Sequence, residues 1–309
     1  MAEYRLLTYR DAGKPVAGVL VDGRIYPAAA MLKGSGIDAS SVLALLGSWS
    51  KAHRALAKAA GTVKPKNGKP LARVKLLAPI LYPGALFCAG ANYWDHMEEM
   101  AKAEGRTVDR AKRPGEPWFF VKTSAHSIIG PDVPAKLPAN SRQVDWEAEI
   151  GIVIGRGGKN LPVERAMEAV AGYTIVNDLS ARDLMRRKDR PPVMTFDWVG
   201  QKCFDDAAPM GPWITPVSSI RDHDNLSVKL WVNGVLKQNS NTRELIHNIP
   251  EQVSYLSHHV TLRPGDVIAT GTPAGVGMPR GEFLKPGDIV KIEIEGCGSL
   301  TNPMAAGAR

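Results

Sequence analysis

Cysteine is scarce: Cys88, Cys203 and Cys297 are the only three in 309 residues. Without paired spacing they exclude a disulfide framework and a cysteine-rich metal site, and they favour a reducing compartment. Long apolar runs are missing too. None approaches the roughly 18 residues that a membrane-spanning helix needs. The opening MAEYRLLTYRDAGK carries Glu3 and Asp11 and has no apolar signal-peptide core. A cytoplasmic location is therefore expected, with no membrane contact. There are no heptads, internal repeats or low-complexity tracts. No G-x-S-x-G is present, which removes a nucleophile elbow. Concentrated charge is also lacking. Lys+Arg 39 against Asp+Glu 31 leaves +8, spread thinly, with AKRP (111–114) and MRRKDR (185–190) as its densest stretches. Nucleic acid is not an expected partner.

What is abundant is punctuation. Gly 30 and Pro 23 favour many short strands and turns over long helices. Residues 4–29 alternate apolar and polar positions around Asp22-Gly23, a hairpin signal. Residues 39–60 have helical spacing, and 62–70 reads as a polar linker. We therefore expect a small N-terminal domain over 1–70 and a main domain over 71–309. In the latter, 93–106 reads as a helix ending at Gly105 and 144–155 as a strand. GYTIVNDLSARDL (172–184) reads as a strand running into a turn. VKLWVNGVLK (228–237) is a hairpin around Asn233-Gly234. VSYLSHHVTL (253–262) suggests a helix before the turn Arg263–Asp266, and 289–296 is an alternating strand. The class is α+β and β-rich, without regular βαβ alternation.

Three constellations carry chemistry. Glu147 and Glu149 stand at i and i+2 of a strand and so share a side. Like charges that close raise one another's pKa unless a cation lies between them. Oxygen-only ligands select a hard ion, Mg²⁺ or else Mn²⁺ or Ca²⁺. Asp178 ends another apolar run and offers a third carboxylate. The pair alone also fits a solvated strand face, but the apolar Trp146, Ile150 and Ile152 around it demand a partner for buried carboxylates. His96 and Glu99 stand at i and i+3 of a helix, where a carboxylate orients an imidazole for water activation. The same spacing also suits an incidental surface pair. HMEEM is not H-E-x-x-H, so zinc-protease chemistry is excluded. The glycine-rich stretch Thr270–Gly277 is either a plain turn or a cradle whose N–H groups approach an anion, such as a substrate carboxylate. Lys202 receives no role from the sequence alone. The doublet His258-His259 cannot share a helix face and reads as structural.

Taken in order, seven segments resemble the fumarylacetoacetate hydrolase family: GANYWDHMEE (90–99), VDWEAEIGIVIG (144–155), GYTIVNDLSARDL (172–184), GQKCFDDAAPMGPWI (200–214), VNGVLKQNSNT (232–242), TLRPGDVIATGTPAGVG (261–277) and LKPGDIVKIEIEGCGSLTNP (284–303). The resemblance spans about residues 75–303 and extends to acylpyruvase and 2-oxo acid hydrolase-decarboxylase members. It implies a mixed β-roll catalytic domain, a homodimer and a divalent metal. It further implies cleavage of a C–C bond in 1,3-diketo acids or acylpyruvates, or else decarboxylation or tautomerisation of related unsaturated 2-oxo acids. Carried over, Glu147, Glu149 and Asp178 match the metal carboxylates, and His96 and Glu99 the water-activating dyad on a lid. Lys202 matches the lysine beside metal and substrate. Thr272 matches the threonine that holds the substrate carboxylate, and Arg182 and Asp183 the family's ARD segment, with Arg182 expected among the substrate contacts. Where the family commonly has a substrate-contacting glutamine, this chain has Met185, a soft apolar surface without an amide. Tyr93 and Trp94 on the lid would admit an apolar or aromatic substrate tail.

Overall fold

The computed structural model describes residues 3–307. Residues 1–2 and 308–309, at the outer ends of the two expected domains, lie outside the described residues. The N-terminal part runs β1 (Arg5–Asp11), β2 (Lys14–Val21), β3 (Arg24–Pro27), α1 (Ala28–Met31), α2 (Val42–Gly47), α3 (Trp49–Ala60) and β4 (Lys69–Pro70). Asp22 and Gly23 both have positive φ, as a two-residue type I′ turn requires, and set Val21 opposite Arg24. Helicity over 39–60 is divided rather than continuous. Ser41 caps α2 by accepting from the Ala44 N–H, and Ser48 at φ −126° breaks the run before α3. Ala52, Leu56 and Ala60 then face inward at i, i+4 spacing. The expected linker is partly ordered, since Lys69 pairs with Ile25.

The main part continues with β5 (Leu86–Gly90), α4 (Trp94–Ala103), β6 (Trp118–Lys122), α5 (Ser124–Ser127), β7 (Ile128–Ile129), β8 (Ala135–Leu137), β9 (Val144–Asp145) and β10 (Ala148–Ile154). After it come α6 (Val163–Ala166), β11 (Val170–Asn177), β12 (Ser180–Ala181), α7 (Trp198–Lys202), β13 (Ala208–Pro216), β14 (Ser227–Val232) and β15 (Val235–Asn241). The chain ends through α8 (Ile249–His259), β16 (Val267–Ala269), β17 (Ile289–Ile294) and β18 (Gly298–Ala306). One large sheet has the order β4-β3-β2-β1-β13-β11-β10-β16-β5-β6, with β7 beside β13. Leu6 pairs with Ile214, so the N-terminal strands extend the same sheet across position 70. A second sheet, β15-β14-β17-β18-β8, packs against it. Parallel pairs (β16 with β5, β18 with β8) make both sheets mixed. The class is thus the β-rich α+β one that the sequence implies.

Strand β10 explains where the site sits. Every residue of it is buried, the mark of a strand covered on both faces. Ile150, Ile152 and Ile154 enter the core shared with Val228, Leu230 and Ile292 of the second sheet. Val153 enters the other core, with Leu45, Leu46 and Leu56 of α2 and α3. Each such side chain contributes about 1.5–3 kcal/mol on burial, so the strand end is held rigidly. The strand expected over 144–155 is interrupted at Trp146 and Glu147. There side chains replace the ladder: Glu147 N–H donates to Asn177 Oδ1 (3.2 Å) and Trp146 N–H to Asp145 Oδ1 (2.9 Å), while Trp146 Nε1 donates to Gly275 O (3.0 Å). Helix α4 stops in a Schellman closure at Gly105, with Gly105 N–H on Lys102 O and Arg106 N–H on Ala101 O. Helix α8 opens with a capping box between Asn248 and Glu251. At its other end His258 and His259 set Nδ1 on the Ser254 and Tyr255 carbonyls of their own helix. Among the described residues no helix is long and apolar enough to cross a membrane.

Candidate metal centre and active site

The acids meet because β10 and β11 pair with Glu149 opposite Val176, and Asp178 N–H then donates to Glu147 O. That register brings one oxygen each of Glu147, Glu149 and Asp178 to within 4.8 Å of one another. All three residues are buried. Glu147 Oε1 accepts from Ser180 Oγ (3.0 Å) and from an Arg182 nitrogen (2.6 Å). Lys202 Nζ lies between Glu147 Oε2 (3.0 Å) and Asp178 Oδ2 (2.6 Å). Lys122 Nζ closes on Asp178 Oδ1 and on Leu179 O. Arg182 also donates to Asp145 Oδ2 (3.0 Å).

The buried network therefore sets Glu147, Glu149, Asp178 and Asp145 against Lys122, Lys202 and Arg182. One carboxylate is left over, and it is Glu149. Among the described residues its Oε2 accepts only the Gly271 N–H (2.9 Å), and its Oε1 is buried with no partner. Burial and the charges of Asp178 and Glu147 push its carboxyl well above the usual range. Burial acts on Glu147 in the same direction, but Lys202 and Arg182 outweigh it and hold that carboxyl low. An orphaned oxygen on a buried carboxylate, with two acids beside it, is what an all-oxygen site for a hard divalent cation presents.

Above this floor lies α4. His96 Nδ1 is buried without a hydrogen-bond partner and stands 4.0 Å from Glu99 Oε2. The dyad is assembled but not bonded, since 4.0 Å exceeds hydrogen-bond range. His96 is close enough to Glu147 to help hold that carboxylate ionised. Glu99 itself accepts from the Gly275 N–H (2.8 Å) and from Arg280 (3.4 Å). Its burial works against ionisation, but His96 beside it, Gly275 and Arg280 bring its pKa down.

The chain's own carboxylates already take several of the donors that residues 270–277 offer. Gly271 donates to Glu149, Ala274 to Asp95 (3.3 Å), Gly275 to Glu99, and Gly277 (2.6 Å) and Met278 (3.1 Å) to Asp145. Gly275 has φ +105°, and a Cβ there would lie 2.1 Å from Lys237 O, so only glycine permits this approach.

The expected substrate contacts are mostly occupied. Thr272 Oγ1 donates to Ala148 O (3.1 Å) and accepts from Gln238 Nε2 (2.9 Å), leaving no hydroxyl proton for a substrate carboxylate. Arg182 is committed to Glu147 and Asp145, and Asp183 accepts from Ser141 Oγ and the Arg142 N–H. Tyr93 is fully buried in the core, so its ring does not line an open entrance. Met185 is half-buried at the end of the 182–184 turn.

Three further residues escaped the sequence reading. Lys122 has no exposed side-chain surface and pairs with Asp178; its only signal is a lysine closing the apolar strand WFFVK. Asp145 ties the glycine loop to Arg182. Gln238 accepts from the Ala148 N–H and donates to Thr272 and Pro273, binding the strand between the two glutamates to the loop. Lys122→Met should lower the unfolding free energy of the metal-free protein by about 3 kcal/mol, the low end for breaking a buried pair, because Lys202 still faces Asp178. Urea titration in a chelator checks this; an unchanged midpoint would mean the pair contributes nothing.

Residues 85–305 match the family model described as Fumarylacetoacetate (FAA) hydrolase C-terminal. An oxaloacetate tautomerase of Xenopus laevis, named as mitochondrial, is 42% identical over 233 residues, covering 75% of this chain and 68% of its own. A fumarylacetoacetate hydrolase from Exiguobacterium antarcticum superposes with a TM-score of 0.78 at 32% identity, over 98% of this chain and all of its own. A maleylpyruvate hydrolase from Sphingobium sp. SYK-6, in complex with manganese(II) and pyruvate, gives a TM-score of 0.76 at 28% identity, over 98% of this chain and 100% of its own.

Proposed function

Because this chain belongs to the fumarylacetoacetate hydrolase family, we propose that it is a divalent-metal-dependent enzyme that hydrolyses a C–C bond in an acylpyruvate-type 2-oxo acid. The observation that carries the reading is the uncompensated Glu149 carboxylate, set among two further acids beneath an unpartnered His96 nitrogen. A cation held by Glu147, Glu149 and Asp178 would supply Lewis-acid polarisation and a template for the 2-oxo acid end. The side chains supply the rest. With Nδ1–H turned toward Glu99, the lone pair of His96 lies on Nε2, which takes a proton from water as the oxygen adds to the distal carbonyl. Collapse of that adduct breaks the C–C bond, giving a carboxylic acid and the enolate of pyruvate. Lys202, held in its charged form by Asp178 and Glu147 despite burial, faces the developing negative charge. The proton on His96 Nε2 then returns to the enolate carbon.

A second reading is favoured by the 42% identity to an oxaloacetate tautomerase. There the same imidazole moves a proton between the carbon and oxygen of a keto–enol pair, without water addition. An absorbance screen decides between them, using acetylpyruvate, oxaloacetate and a 2-hydroxydienoate with Mg²⁺, with Mn²⁺ and with chelator. Metal-dependent release of pyruvate and acetate from acetylpyruvate is the expected result. Keto–enol conversion of oxaloacetate alone would assign the tautomerase, and no metal-dependent turnover of any of the three would overturn both readings.

A further inference from the structure

Between the metal floor and α4 lies one segment, residues 270–278, and both sides hold it by the same device. From below, Glu149 and Asp145 accept its N–H groups at Gly271, Gly277 and Met278; from above, Asp95 and Glu99 of α4 accept those at Ala274 and Gly275. Asp95 does more than Glu99. Its Oδ2 accepts from Ser240 Oγ (2.5 Å) on β15, while its Oδ1 takes Ala274 N–H and, at 2.8 Å, the N–H of His96 itself. Asp95 is the residue next to His96, so whatever fixes Asp95 fixes where the imidazole projects. The start of α4 is anchored separately: Asn92 donates to Thr270 O (2.8 Å) and His247 O (3.1 Å) and accepts from the His247 N–H (2.9 Å), and Tyr93 is buried. The first turn of α4 is thus pinned from behind by Asn92 and from the site side by Asp95.

We propose that Asp95 is a positioning residue that latches the first turn of α4 to Ser240 and to the 270–278 loop, and so sets His96 over the carboxylates. This rests on the reading of His96 as the base. The hydrogen bonds are charge-assisted and partly sheltered, which makes them stronger than ordinary surface contacts. The latch also explains why the glycine loop spends its donors on protein carboxylates: the loop joins the position of α4 to that of Glu149 through a few backbone bonds.

Ser240 permits a test from outside the helix. In the full-length protein with Mg²⁺, Ser240→Ala should speed amide hydrogen exchange over 94–103 about tenfold, loosening one anchor of the turn. It should lower kcat about tenfold while Mn²⁺ affinity and the unfolding midpoint stay at wild-type values. Ser240→Thr, which keeps the hydroxyl, should restore both. Asp95→Ala, which removes all three contacts, should exceed Ser240→Ala in both readouts. Unchanged exchange in Ser240→Ala and Asp95→Ala would overturn the latch. Faster exchange with unchanged kcat would overturn its positioning role. A wild-type chain that turns over none of the three 2-oxo acids would sink the functional reading instead. The exchange measurement, which needs no substrate, would still decide the latch.

Discussion

Replacing Glu149 by glutamine should remove metal-dependent turnover, by more than about 10²-fold, since even residues behind a ligand cost 10–100-fold. The fold should survive. The amide oxygen still accepts the Gly271 N–H, and the new NH₂ faces carboxylates rather than an apolar wall. In chelator the variant should be at least as stable as the wild type, because the substitution deletes the one carboxylate of the network that no basic group balances among the described residues. That combination distinguishes a ligand from a structural acid. A structural acid would cost stability on removal and leave metal affinity unchanged. Mn²⁺ titration calorimetry and urea unfolding, each on both proteins, read the two halves.

His96→Ala should lower hydrolysis of an acylpyruvate by about 10²–10⁴, the usual range for losing a general base. Mn²⁺ affinity should change little, because the imidazole is not among the three carboxylates that approach one another. Glu99→Gln should cost less, because Glu99 stands 4.0 Å from Nδ1 and its shortest contact is the Gly275 N–H. Its effect should fall on the fit of the loop and the orientation of the ring. Keto–enol conversion of oxaloacetate should fall with His96→Ala too, since that reaction also needs a proton carrier. Simple decarboxylation needs no attacking water and should be hurt least. The measurement is kcat on acetylpyruvate and oxaloacetate at saturating Mg²⁺. Full acylpyruvase activity in His96→Ala would move the base role elsewhere.

The carboxylate triad was legible because strand periodicity is a local rule. Glu147 and Glu149 stand two apart, and although the ladder begins only at Ala148 their carboxylates still converge; the apolar residues around them announce burial. Lys202 was silent on its own and acquired a place only through the segment it belongs to. Lys122 stayed hidden because nothing in WFFVK tells an edge lysine from one aimed at an acid 56 positions away. The partners of the glycine loop are hidden for a related reason. A run of free N–H groups looks the same in sequence whether the anion is a substrate or the protein's own Asp95, Glu99, Asp145 and Glu149. Saturation is equally invisible: Thr272 and Arg182, expected at the substrate, already hold hydrogen bonds within the protein. Local propensity failed at Ser48, whose φ of −126° splits the expected helix, and at Trp146–Glu147, where a side chain takes the place of a backbone partner and splits the expected strand.

The proposed enzyme depends on one divalent cation held by Glu147, Glu149 and Asp178. Anomalous diffraction from crystals grown with Mn²⁺ and oxalate tests it most directly. One strong manganese peak among these three carboxylates is expected in the wild type, and its loss in Glu149→Gln. A peak at any other group of side chains, or an undiminished peak in the variant, would contradict it.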